Sequence, residues 1–417
     1  MDPDIVRKAF LVKLSLPAAC ALTGLFSAYF FRTMSALSPK PQQQLQQKQT
    51  QRQIPKERLV YGSDDYLFGH IEKLQGNKPF GSLLDAGTGL HSLRWIATLG
   101  GDYAHNDEGQ ENKNMTDFTA VTADESMRKN VQKEADELGI SHLGRVVIGN
   151  WFPPDNDDRQ SLASIDRQNS NTPIDEADDP DVTTVGTTTT KLYDTILADY
   201  LIGAMAGFPP GHFSQDLMIE KLAQRLKPGG RLYIVGLEPI PDDYDPPSAP
   251  QNIICRVRQV RDACILLAGQ RCYREYPKDW VEQQVARLST TTTAASTPTS
   301  TSTAISDNDN HDTEQKTTPA PMQLPTLKHI DSKEFPILYR HTTIVKQINV
   351  ARNKLSGFPS RSLANEMKKT LNDLEQQSYA ATEKIQRGRR IALGFDYVCV
   401  ILRCVMFGSL LFVSLFW

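Results

Sequence analysis

Cysteine is sparse and scattered: Cys20, Cys255, Cys264, Cys272, Cys399 and Cys404 include no CxxC pair and no companion histidine spacing. That pattern argues against a disulfide framework and a zinc module, and no metal site is expected. Charge of one sign is lacking as well, because 46 Lys and Arg stand against 49 Asp and Glu for a net charge of -3. With no basic stripe interleaved with aromatics, nucleic acid is not an expected partner. Hydrophobic residues make up 39% of the chain and form no series of spans, which rules out a polytopic membrane protein. No internal repeat is present.

The long apolar runs that do exist lie at the two ends of the 417 residues. Leu14 to Phe31 carries no charge and follows Arg7, Lys8 and Lys13, as an anchor or a secretion signal would. Tyr397 to Trp417 has one charge, Arg403, and follows Lys384, Arg387, Arg389 and Arg390. Its length is close to the roughly 20 apolar residues that span a bilayer. These flanks, with Arg32, Lys40, Lys48 and Arg52 after the first run, predict a membrane protein with its middle on the cytoplasmic side; a cleaved N-terminal signal would invert that topology.

Polar interruptions divide the rest. The expected organisation is an N-terminal hydrophobic segment (1–37), a Gln-rich linker (38–56) and an α/β domain (57–288) with disordered insertions at 101–117 and 154–190. A Thr/Ser/Pro-rich disordered insertion (289–323), closing strands and a helix of the same domain (324–390), and a membrane-spanning C-terminal hydrophobic segment (391–417) follow. The polar stretches hold too little apolar surface to offset their ordering entropy.

Between the interruptions, strand-like runs alternate with helical spacing. Ser82 to Asp85, Phe118 to Ala123, Arg145 to Gly149, Tyr193 to Ala198 and Arg231 to Gly236 read as strands. Helices are predicted over His91 to Leu99, Glu125 to Leu138, Gln215 to Leu226 and Asn252 to Leu267. The alternation predicts an α/β fold with a doubly wound, mostly parallel sheet. Two more strands are expected near Leu327 to Leu338 and at Thr342 to Val350; with no room for a crossover helix, they would pair antiparallel.

The strongest chemical signal is Asp85-Ala86-Gly87-Thr88-Gly89 after the first strand. Glycines there let a ligand approach the backbone at the carboxyl edge of the sheet. A dinucleotide fingerprint would place a third Gly where Ser92 stands, and Asp85 would face a pyrophosphate. An acid at that strand end suits a ligand carrying a cation, such as the sulfonium and α-amino group of S-adenosylmethionine.

At these residues the chain resembles the class I S-adenosylmethionine-dependent methyltransferases. DAGTG is similar to their first motif, and RLKPGGRLYIVG to the segment that enters their fifth strand. The resemblance covers about half of the chain and implies a Rossmann-like methyltransferase fold, with residues 335 to 351 supplying a closing antiparallel strand. It implies that Asp85, Gly87 and Gly89 surround the methionine part of the cofactor. The ribose-binding acid of the second strand falls at Thr122 or, two residues later, at Asp124, the preferred choice; the alternative for Asp124 is a helix N-cap. Asn150 would meet the adenine amino group and Trp151 would pack on its face. His91 replaces the family's usual third Gly and reads as a helix-start residue.

Methyl transfer needs a positioned nucleophile and, where required, a base. Asp199, at the end of the fourth strand, is the candidate for positioning or proton removal, and Tyr200 for an aromatic wall; a helix cap is the alternative for Asp199. Tyr273, Tyr276 and Trp280, in a run of aromatics alternating with charges, are candidates for binding the acceptor, with inward packing of Tyr276 and Trp280 as the alternative. The expected function is a membrane-anchored methyltransferase using S-adenosyl-L-methionine on a small-molecule or lipid-like acceptor. A nicotinamide-dependent oxidoreductase, an aminopropyl transferase and a non-catalytic membrane tether are the alternatives.

Overall fold

A computed structural model describes residues 58–100, 115–149, 151–152, 191–208, 211–294, 326–385 and 390–405. The expected N-terminal hydrophobic segment, the Gln-rich linker, the 154–190 insertion and Asn150 lie outside the described residues, as do most of the other two insertions.

Helix α1 (Tyr66–Gln75) begins where the Asp65 carboxylate accepts the backbone N–H groups of Leu67 and Phe68, satisfying donors that a helix start leaves open. Strand β1 (Gly81–Asp85) and helix α2 (Leu90–Leu99) follow, then β2 (Met115–Thr122), α3 (Glu125–Glu137), β3 (Gly144–Ile148) and β4 (Tyr193–Asp199). A helical turn at Leu201–Ala204 leads to α4 (Gln215–Gln224) and β5 (Leu226–Leu237). Next come α5 (Gln251–Leu267), α6 (Lys278–Ala294), β6 (Leu327–Arg340), α7 (His341–Arg352), α8 (Arg361–Glu383) and β7 (Arg390–Arg403).

The strands form one sheet in the order β3-β2-β1-β4-β5-β7-β6. The first five pair in parallel, while β7 runs antiparallel to both β5 and β6. Alternation along each strand covers both faces. In β5, Leu232 and Ile234 join one apolar cluster, with Met218 and Ile219 of α4 and Val281 and Val285 of α6. Tyr233 and Val235 join the opposite one, with Phe68 and Ile71 of α1 and Val131 of α3. Successive side chains of a strand point to opposite faces, so central strands buried on both sides read as continuous apolar runs. Trp95 of α2 is fully buried, stacked on Phe68 with ring centroids 4.6 Å apart. A third cluster joins α5, α7 and α8, including Ile254, Ile348, Leu371 and Leu374.

Two expectations fail here. The run beginning at Tyr397 does not open a spanning helix: Tyr397 to Arg403 belong to β7, and Val398, Cys399, Val400 and Ile401 are buried between the helical layers. Among the described residues, no helix is long and apolar enough to cross a membrane. Arg390, expected to flank a membrane span, is the first residue of this strand, and residues 406–417 lie outside the described ones. The expected strand at Thr342 to Val350 is instead part of α7, which buries Ile344, Ile348 and Ala351 at helical spacing. The partner of β6 is therefore β7, far along the chain. Smaller differences are that β2 starts within the expected 101–117 insertion, at Met115, and that α6 continues past residue 289 to Ala294.

Candidate active site

Strand order reverses at the β1/β4 boundary, which is where ligands bind in open α/β sheets. The turn after β1 is secured on both sides. The Ala86 N–H donates to the Leu197 carbonyl of β4, and the Thr88 N–H to the Val121 carbonyl of β2, both at 2.8 Å. The Thr88 hydroxyl donates to the Asp85 carbonyl at 3.0 Å. A Cβ on Gly87 would come within 2.9 Å of the Leu201 side chain, which would have to shift to admit it. A Cβ on Gly89 would meet nothing within 4 Å. Gly87 thus serves packing, while Gly89 faces open space.

Asp85 is fully buried. Its Oδ2 accepts the Ser92 hydroxyl at 2.7 Å, while Oδ1 has no partner. Burial pushes its carboxyl up to about 7, opposed by the Ser92 hydrogen bond and reinforced by the charge of Asp199. Burial likewise pushes Asp199 up to about 6, with His91 pulling the other way. Among the described residues, no Lys or Arg makes an ion pair with either carboxylate. His91, on the first turn of α2, approaches Asp65 at 2.9 Å from its Nε2. That hydrogen bond raises the imidazole above its ordinary value. Burial opposes ionisation of Asp65, but His91 and the Phe68 and Leu67 N–H groups hold it below the usual carboxylate range.

Tyr200 sits in the left-handed region at φ 49, its ring forming a wall beside Asp199. Its hydroxyl donates to Asp396 Oδ1 of β7 at 2.7 Å, and the Tyr66 hydroxyl donates to the other oxygen at 2.9 Å. Burial and the Asp396 charge raise Tyr200 far above its ordinary value, so it stays a neutral phenol. Burial also raises Asp396, against the pull of the two tyrosine hydroxyls.

The other expected site residues divide. Asp124 caps α3 by accepting the Met127 N–H at 2.8 Å, and it also lines a cavity that Tyr200 and the end of β5 bound. Thr122 is buried and donates to the Val147 carbonyl at 3.2 Å, so its hydroxyl is engaged within the sheet. Trp151 does not present a free face: it is buried in the core, and its indole N–H donates to the Ala86 carbonyl at 3.2 Å, supporting the turn from below. Tyr273 and Tyr276 line the cavity. Trp280 does not; it packs on Tyr276, ring centroids 4.7 Å apart, on the side of the apolar core. His341 lies near its Ser378 partner at 3.0 Å, away from the turn.

Sequence reading missed Ser92, Asp65, Tyr66 and Asp396. Ser92 stands seven residues after Asp85, within two helical turns of the loop, and a hydroxyl at that spacing was its signal. Asp396 had a signal too, an acid just before the apolar run VCVIL, but a membrane reading of that run hid it. Nothing local marks Tyr66 as its partner 330 residues away.

No family model matches the chain, and no curated protein matches it. Solved structures to which it is similar include the YcgJ protein of Bacillus subtilis, at 14% identity and a TM-score of 0.37, covering 81% of this chain and 97% of that one. Another is an S-adenosylmethionine-dependent methyltransferase of Thiobacillus denitrificans in complex with S-adenosyl-L-homocysteine, at 11% identity and a TM-score of 0.32, covering 78% and 86%. A third is the [4+2]-cyclase SpnF, at 11% identity and a TM-score of 0.34, covering 81% of each chain. The fold follows from the strands themselves: five parallel strands wound in both directions from the β1/β4 boundary and closed by antiparallel β7 form a Rossmann-like methyltransferase fold.

Proposed function

We propose that this protein is an S-adenosylmethionine-dependent methyltransferase acting on a small-molecule or lipid-like acceptor. The observation that carries the reading is the fully buried Oδ1 of Asp85, which has no hydrogen-bond partner, at the head of a turn that ends in the uncrowded Gly89. A buried carboxylate whose one hydrogen bond comes from a neutral hydroxyl is costly to ionise, and a cationic ligand relieves that cost. Asp199 adds a second acid at the same edge, whereas a pyrophosphate would be repelled by both. A nicotinamide dinucleotide is disfavoured on that ground.

S-adenosylmethionine, when bound, supplies a methyl group activated by its sulfonium. Asp85 would hold the positively charged end, and Gly89 would let it approach the backbone. Asp124 spends one oxygen on the α3 cap and keeps the other for ribose hydroxyls. Asn150 and Trp151 follow β3; Trp151 acts through the turn it supports. Asp199, held near 6 by burial, is mostly ionised at neutral pH and suited to accept a proton from the acceptor. The Tyr200 hydroxyl is committed to Asp396, so its contribution is the ring that orients the acceptor. Membrane attachment, with the catalytic domain facing the cytoplasm, would rest on the uncharged run Leu14 to Phe31; alkaline carbonate extraction of chains with and without residues 1–37 tests it.

Titration calorimetry of the full chain with S-adenosylmethionine, S-adenosylhomocysteine and NAD tests the cofactor. Heat with the first two and none with NAD is expected. Silence with both at millimolar concentration overturns the methyltransferase reading.

A further inference from the structure

Beyond β4 and β5 lies a cavity of about 1080 Å³, bounded by Tyr200 and Gly203 after β4, the end of β5, the 269–276 segment, α5 and α7. It exceeds the roughly 300–1,000 Å³ typical of small-molecule sites. Two of its three acidic groups are paired with cations. Asp262 pairs with Arg261 at 2.7 Å. Glu275 accepts the Ile240 N–H at 2.9 Å and pairs with Arg258 at 3.1 Å. Asp124 caps α3. Arg261 is further held by Gln347 at 2.7 Å.

The remaining cations have no such partner. The side chains of Arg274 and Lys354, both in the cavity wall, make no hydrogen bond or ion pair among the described residues. Arg271 meets only the Phe213 ring, 5.5 Å away. Against Arg271, Arg274 and Lys354 the wall sets one carboxylate outside any ion pair among the described residues, Asp124, so an excess of positive charge remains. Around it, Phe208 and Tyr273 are exposed, their ring centroids 6.3 Å apart, and Ile265 and Val350 add apolar surface. Aromatic and aliphatic walls take an apolar body, while unneutralised guanidinium and ammonium groups take an anion.

We propose that this cavity binds the methyl acceptor and that the acceptor is a small organic anion, an apolar ring or chain bearing a carboxylate or phosphate, held by Arg274 and Lys354. As an assignment of the acceptor it rests on the methyltransferase reading. As a binding site it stands separately; Tyr200, which lines it, follows Asp199 directly in the chain.

The test compares two fluorescent probes of similar shape on the full chain, anionic 8-anilinonaphthalene-1-sulfonate and neutral N-phenyl-1-naphthylamine. Wild type should bind both. The pair Arg274→Gln with Lys354→Gln should raise the Kd of the anionic probe about 10-fold, as loss of two partly exposed charge contacts would, and shift the neutral probe less than about 2-fold. Val350→Trp, which fills the cavity, should weaken both. Should the double variant not fold, each single variant is measured, with about a 3-fold effect on the anionic probe alone. Displacement of the anionic probe by indole-3-acetate or decanoate in preference to the corresponding amide supports the proposal and identifies a ring or a chain as the body. Equal displacement by acids and amides, or parallel shifts of both probes in the Gln variants, overturns it. Binding of the anionic probe as expected in a chain that takes no S-adenosylmethionine would sink the methyltransferase reading and leave the anion site standing; the reverse pattern would sink the anion site alone.

Discussion

At the carboxyl edge of β1 and β4, Asp85 is secluded from water and Asp199 half-buried, with no Lys or Arg paired to either among the described residues; across Tyr200, the cavity presents Arg274 and Lys354, neither in an ion pair among the described residues. The two regions differ in sign and in exposure. Burial at the acidic edge shifts both carboxyl groups toward neutrality, so a ligand there couples strongly to protonation. Arg274 is exposed and Lys354 half-buried, so water and salt screen them, and their effect on affinity is smaller. One site can thus hold a cation tightly while its neighbour selects an anion loosely, which keeps the two ligands from competing.

The largest effect should come from removing what both regions share. Strand β7 supplies Asp396 to one and Tyr397 to the other, and it lies between β5 and β6. A chain ending before Tyr397 is expected to yield no folded, soluble domain, as circular dichroism would show; a cooperative melt in that truncation would refute the interior placement.

Asp85→Asn sharpens the acidic side. Loss of a charge-assisted contact of about 1.5–3 kcal/mol should weaken S-adenosylmethionine binding by roughly 10- to 150-fold in calorimetry. Stability should move the opposite way. The folded carboxyl titrates near 7 against about 3.9 when unfolded, so the folded chain keeps a proton that the unfolded chain has released. Stability from this group is therefore complete below about pH 4, falls as pH rises toward 7 and levels off above. The variant lacks that loss, so its Tm should match wild type near pH 4 and exceed it at pH 8 without ligand; a Tm difference independent of pH would contradict the assignment.

The two glycines separate packing from ligand contact. Gly87→Ala meets Leu201 and should lower stability by about 1–3 kcal/mol, whereas Gly89→Ala meets no protein atom and should leave the denaturation midpoint nearly unchanged while weakening cofactor binding. Equal midpoints for both variants would break this distinction. The smallest effect is expected at Asp396→Asn, which perturbs its hydrogen bonds with Tyr66 and Tyr200 and should lower stability by about 1 kcal/mol, read from urea unfolding. If Tyr200 needs Asp396 for its placement, kcat falls more than KM rises.

Much of this architecture was legible because it is local. Ser82 to Asp85, Tyr193 to Ala198 and Arg231 to Gly236 lie within β1, β4 and β5, since apolar runs bounded by turn residues have few other uses in water. The turn at Asp85 to Gly89 was legible for the same reason. The bond from Trp151 to the turn was not legible, because an aromatic after a strand looks alike whether it stacks on a ligand or supports a loop. Asp124 takes the helix-cap position that was one of its two readings, because a carboxylate just before a helix meets the open N–H groups of the first turn.

The sequence by itself determined the alternation of strands and helices, the glycine turn and its acid, all set by side-chain periodicity and backbone freedom within a few residues. Only the tertiary structure decided the fate of the run at Tyr397 and the union of Tyr66, Tyr200 and Asp396. An apolar stretch is stabilised equally by lipid or by packed side chains, and its composition does not say which. The choice is made where its backbone groups find partners, and here β5 and β6, distant in sequence, supply them.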